Sequence, residues 1–111
     1  MLEAIFGAKV IEKILFFLLI NERCYGSQLS RSFDEALTPF QKGLDRLEAG
    51  GIIVSFVEGK TRIYQFNPRY PFLSELKAFL LKSYEFLPSE FKERFYQPKI
   101  RKRPRRKGKP L

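Results

Sequence analysis

Residues 38–51, TPFQKGLDRLEAGG, constrain this chain more than any other stretch. Thr38 is placed to cap a helix, and Gln41, three residues on, is placed to complete a capping box. Pro39 then falls at the first helical position, where a missing N–H costs nothing. Phe40, Leu44 and Leu47 follow at spacings of four and three, which puts them on one face. Gly50-Gly51 is a C-terminal stop. The segment therefore reads as a helix of about three turns, buried on the Phe40 side, with Gln41, Lys42, Asp45 and Arg46 on the other.

The flanking segments define the plan around this helix. Upstream, Tyr25, Leu29 and Phe33 recur every four residues, giving a shorter helix from Gly26 to Phe33. Asp34-Glu35-Ala36 is a turn, and Leu37 is expected as a buried anchor. Downstream, Ile52 to Val57 is rich in β-branched and aromatic residues, Glu58-Gly59-Lys60 is a turn, and Thr61 to Phe66 alternates again before Asn67-Pro68. Two helices joined by a tight turn form a helix-turn-helix. Followed directly by a hairpin with a basic tip, they form a winged helix. The expected fold class is mainly α with a small β-hairpin (α+β).

The chain resembles the winged-helix transcription regulators of the arsenic-repressor-like (ArsR-like) superfamily. The residues that carry the likeness are Leu44, Leu47, Glu48, Gly50, Ile52, Gly59, Arg62, Tyr64, Phe66, Asn67, Pro68, Pro71, Glu75 and Leu76. It extends over residues 5–85. Within the superfamily it is most similar to a small group found beside or fused to nucleotidyltransferase domains. The resemblance implies a DNA-binding regulator whose first and last helices pair two subunits. Gly43 and Asp45 depart from the longer or basic residues that relatives carry there. Asp45 repels phosphate, and Gly43 permits close approach to DNA or to another helix.

The two ends support such a pairing independently. Residues 2–20 read as one first helix that is apolar almost all round, so most of its faces must be buried. Residues 70–87 read as a second long helix with a stripe of Phe72, Leu73, Leu76, Phe79, Leu80 and Tyr84. The expected interface comprises Ile14, Phe17, Leu18, Phe72, Leu76, Phe79, Leu80 and Tyr84, and a homodimer is expected over a monomer whose terminal helices cover each other. The expected organisation is a winged-helix domain over 1–87, a short helical extension over 88–97 bearing Phe91, Phe95 and Tyr96, and a disordered basic tail over 98–111.

Charge is distributed very unevenly. Of the 21 Lys and Arg, eight (Lys99, Arg101, Lys102, Arg103, Arg105, Arg106, Lys107, Lys109) lie in the tail, which has no acid. The rest of the chain holds 13 basic and 12 acidic side chains, so the overall +9 belongs mainly to the tail. With no His and one Cys, neither an imidazole base nor a Cys-rich zinc site is available, and no metal or other cofactor is expected. Cys24 reads as a packed small hydrophobe, and a lone thiol suits a cytoplasmic protein. Ile14 to Ile20 is too short for a membrane span, which needs about 20 apolar residues.

Nothing in the sequence looks catalytic, so an enzyme is not expected. Double-stranded DNA is the expected partner. Thr38, Pro39, Gln41, Lys42 and Arg46 would face the major groove, with Gln41 suited to adenine and Lys42 to guanine or phosphate. Arg46 reads as a backbone contact, and Lys60 and Arg62 as wing contacts to phosphate or the minor groove. Tyr64 and Phe66 read as core. The tail cations would add salt-dependent, sequence-independent binding. Two alternatives stand beside this reading. One is a protein-interaction module, an antitoxin-like partner of a nucleotidyltransferase. The other is non-specific nucleic-acid binding driven by the tail.

Overall fold

A computed structural model describes residues 1–97; the expectations for the tail fall outside them. The elements in order are α1 (Glu3–Phe6), α2 (Lys9–Asn21), β1 (Arg23–Cys24), α3 (Gly26–Phe33), α4 (Leu37–Ala49), β2 (Ile53–Glu58), β3 (Thr61–Phe66), α5 (Leu73–Tyr84) and α6 (Ser89–Phe91), then a π-helical turn, Lys92–Tyr96. This is a winged helix of the α+β class, as the sequence predicts.

The expected first helix is broken in two. Gly7 takes a left-handed φ of 86° and closes α1 with its N–H on the Glu3 carbonyl, while Ala8 is extended. This conformation costs a side-chain-free residue little. Glu22, at φ 73°, then turns the chain out of α2 into β1. That two-residue strand pairs antiparallel with β3 through Arg23–Gln65 and Cys24–Tyr64, so the sheet is three-stranded in the order β1-β3-β2.

α4 begins one residue earlier than the sequence suggests. Ala36 occupies the cap position and offers no side-chain acceptor, so Thr38 does not cap and Gln41 closes no capping box. Pro39 still falls in the first turn, where an N–H has no intrahelical partner. Leu37 is exposed rather than anchored. The stop behaves as expected: Gly51 N–H bonds the Glu48 carbonyl, Ile52 N–H bonds that of Leu47, and Gly51 has φ 78°. That is a Schellman closure. The wing turns through Gly59-Lys60 between paired Glu58 and Thr61, with Gly59 alone at positive φ. A two-residue hairpin loop of that form fits the twist of its strands.

α2 is the centre of the core. Ile11, Ile14, Leu15, Phe16, Phe17 and Leu18 are all buried, packed by α1, α4, α5, β1 and the π-helical turn. Gly43 makes the α4 contact possible: a Cβ there would lie 2.8 Å from Ile14 Cδ1 and 3.3 Å from Val10 Cγ1. Its close approach is therefore to a helix. Residues 89–96 are no appendage either. Tyr96 is fully buried against Phe16, Phe33 and Tyr84, and its carbonyl accepts from Asn21 Nδ2 at 2.8 Å.

This packing encloses most of the residues expected at a subunit interface. Ile14, Phe17, Leu18, Leu80 and Tyr84 are buried within the single chain, because α4, α5 and residues 89–96 consume the apolar surface of α2. Within the single chain each keeps less than a tenth of its surface exposed. Of the expected set, Phe72 and Phe79 remain exposed and Leu76 is half-buried. Leu81, Phe86 (70 % exposed) and Ile5 are exposed as well.

Candidate nucleic-acid interface

One groove of about 390 Å³ runs between the first turns of α3 and α4 and the wing. Its walls include Tyr25, Ser27, Gln41, Lys60, Thr61 and Arg62. The sequence puts it there in three steps. The tight turn at Asp34, whose φ is 54°, brings α4 back across α3. Gly26 lets the two helices close: a Cβ at residue 26 would lie 3.0 Å from Gln41 Oε1 and 3.2 Å from Leu37 Cδ1. The Gly50-Gly51 stop then sends the chain into the wing beside the same helix. Tyr25 also holds α3 in place, its N–H donating to Gln28 Oε1 and its hydroxyl accepting from Arg31 Nη2 at 2.9 Å.

The expected site residues divide by what they touch. Thr38, Pro39 and Lys42 are exposed on the outer side of α4, and among the described residues Lys42 makes no hydrogen bond or ion pair. Lys60 is exposed at the wing tip and likewise unpaired among them. Gln41, Arg46 and Arg62 are instead engaged with the protein. Arg46 Nη2 donates to the Phe6 carbonyl at 3.2 Å, so its guanidinium seals the end of α1. Cations at helix C-termini favour the dipole there. Arg62 Nη1 donates to Ser55 Oγ at 2.9 Å, and Ser55 Oγ donates to Glu48 Oε2 at 2.5 Å. Gln41 Nε2 donates to Tyr64 Oη at 3.0 Å and to Asp45 Oδ1 at 3.2 Å.

Sequence reasoning therefore missed Ser55, Glu48 and the Tyr64 hydroxyl as parts of the interface. Their signal was the spacing of Gln41 and Glu48. Seven residues apart, they share the flank of α4 that meets the strands. Asp45 gains a role as the acceptor for Gln41. Tyr64 and Phe66 are buried, as expected. Cys24 is buried too, and burial pushes its thiol up to about 12. Among the described residues, no three His, Cys, Asp or Glu cluster to hold a metal ion, and no helix is long and apolar enough to cross a membrane.

Comparisons with known proteins bear on this arrangement through the fold. No family model matches the chain, and no curated protein matches it. Solved structures do. The adhesin competence repressor AdcR of Streptococcus pyogenes superposes with a TM-score of 0.54 at 9% identity, over 85% of this chain and 73% of that one. A double mutant of Lactococcus lactis ZitR gives 0.51 at 13% identity, over 78% of this chain and 66% of that one. The apo form of that mutant gives 0.51 at 13%, over 83% and 78%. At these identities the likeness is one of fold. None of the three names a nucleotidyltransferase.

Proposed function

We propose that this chain is a non-enzymatic, DNA-binding transcription regulator acting as a homodimer in the cytoplasm. The observation that carries the reading is the convergence on one groove of two helix starts and the wing-tip Lys60, with Lys42 exposed on the same helix α4, on a fold shared with a repressor. α4 enters the major groove with Thr38 and Lys42 toward base edges and phosphate. The wing lays Lys60 on the adjacent backbone. The second subunit docks on the exposed flank of α5, at Phe72 and Phe79, so that two α4 helices meet half-sites roughly one helical turn apart. The tail cations add affinity without sequence preference.

The test is a titration of the intact chain, and of one ending at Gln97, against genomic fragments from around its own gene and random duplex at two salt concentrations. The shortened chain keeps its preference and loses affinity. Lys42→Ala costs about 1–3 kcal/mol on the preferred fragment, the weight of a specific base contact. Lys60→Ala lowers the salt slope by about one. Unchanged binding in the Lys42→Ala, Lys60→Ala double variant sinks the proposal.

A second reading, a protein-interaction module such as a nucleotidyltransferase partner, is favoured by one feature. Phe56 and Val57, the latter 59% exposed, make the edge strand of the wing apolar where phosphate contact calls for charge. Loss of all DNA binding with the tail would select it.

A further inference from the structure

We infer that Gln41 is a positioning residue that joins the wing to α4, and that base reading falls to its neighbours. The consequence for DNA rests on the reading just proposed. A primary amide has two N–H donors and one carbonyl acceptor. Gln41 spends its donors on Tyr64 and Asp45, at 3.0 and 3.2 Å, while its Oε1 is turned toward Gly26. A bidentate contact to adenine needs a donor and an acceptor presented together. Neither is presented outward here.

The same atoms make a good joint. The ring of Tyr64 lies in the core at the middle of β3, opposite Ser55, so its hydroxyl moves only with the strand. Gly26 leaves room for the Gln41 carbonyl between α3 and α4, so three elements meet at this side chain. Two turns further along α4, Glu48 grips β2 through Ser55, which in turn holds Arg62 of β3. Paired polar contacts seven residues apart fix both the height and the tilt of the hairpin on the helix. A hairpin alone is marginally stable, and ordering a loose one on DNA would cost conformational entropy. Held at Gln41, the wing keeps Lys60 at a set span from Lys42, so the helix and wing contacts to DNA are energetically coupled.

The experiment uses the full chain and four forms of it: wild type, Gln41→Leu, Tyr64→Phe and the double variant. Each is unfolded in urea, then titrated with the preferred duplex and a panel of its single base-pair variants. In urea, the two substitutions are non-additive, the double variant being no less stable than the weaker single one. On DNA, each single variant binds about three- to tenfold more weakly across the whole panel, the weight of one hydrogen bond. Lys42→Ala and Lys60→Ala, coupled in the wild type, become additive in the Tyr64→Phe background. Gln41→Leu relaxing preference at one base pair, with Tyr64→Phe binding as wild type, overturns the inference. So does additivity in urea. An intact chain that prefers no duplex overturns the DNA-binding reading itself, and this is seen before any substitution is made.

Discussion

α2 and α5 look alike in sequence and end in different situations. Both are apolar stripes at helical spacing near an end of the described fold, and both are expected in a subunit interface. α2 is closed on nearly every side, with six large apolar residues buried between Ile11 and Leu18. α5 buries Leu80, Ser83 and Tyr84 and leaves Phe72, Phe79 and Leu81 in solvent, Phe72 at 62%. The difference teaches that hydrophobicity demands burial without naming the partner. A helix apolar all round becomes the centre of its own chain. A helix with apolar residues on two flanks satisfies one flank internally and offers the other. On α5 the offered flank is that of Phe72 and Phe79; Ile5, Val57 and Phe86 are exposed elsewhere on the fold.

The sharpest way to break that comparison is to truncate one aromatic on each helix. Phe16 is fully buried, with ring centroids 5.7 Å from Tyr84 and 5.6 Å from Tyr96. Phe16→Ala should cost about 3–5 kcal/mol in urea denaturation, transfer and cavity together. Phe72→Ser should change stability by no more than about 0.5 kcal/mol. Phe79→Glu, seven residues along the same flank, should together with Phe72→Ser convert a dimer into monomer in sedimentation. Equal costs at Phe16 and Phe72 would mean that α5 is as enclosed as α2.

A smaller effect is expected at the seam between α2 and α4. Gly43→Val puts two methyl groups beyond a Cβ position already 2.8 Å from Ile14. Overpacking of this kind costs about 1–3 kcal/mol. At an exposed helix site, replacing Gly with Ala gains up to about 1 kcal/mol from propensity. A stabilised Gly43→Val variant would show that the seam is loose enough to take a side chain.

How far these features could be read from the sequence depended on how local their causes are. The bounds of α3, the Gly-Gly stop and the Gly59-Lys60 turn follow from neighbouring residues, and the structure keeps them. The start of α4 moved because Leu37 adopts helical geometry ahead of Thr38. The Gly7 break was hidden in an apolar run that continues across it. β1 exists only by pairing with β3, some forty residues away, and two residues carry no period. Tyr96 likewise looked peripheral because its partners, Phe16, Phe33 and Tyr84, lie far back in the chain. Of the candidate site, Lys42 and Lys60 stand where exposure alone would put them. The intramolecular partners of Gln41 and Arg62 were not legible because they lie across the helix–wing contact, and residue type says nothing of who accepts a hydrogen bond.

The smallest expected effect is a dependence on pH, and it tests how closed the shell around α2 is. Burial pushes the Cys24 thiol from 9.0 up to about 12. It pushes the Tyr84 and Tyr96 hydroxyls up as well, that of Tyr96 helped by the negative charge of Glu12 and then by Tyr84. All three are acids whose neutral form the fold prefers. The unfolded chain therefore gives up these protons first as pH rises. The contribution of Cys24 to stability is complete below pH 9 and declines through the window up to about 12, and those of the two tyrosines begin to decline later, from about pH 10. Cys24 has the lowest unfolded value of the three, so it should govern the onset. Cys24→Ala should flatten the first part of the decline without removing the rest, in urea midpoints taken from pH 8 upward. Native protein should resist iodoacetamide at pH 8, and protein in urea should be alkylated readily, because only the thiolate reacts. Equal labelling rates in the two states would mean that Cys24 is reached by solvent and that the shell beside α2 is open.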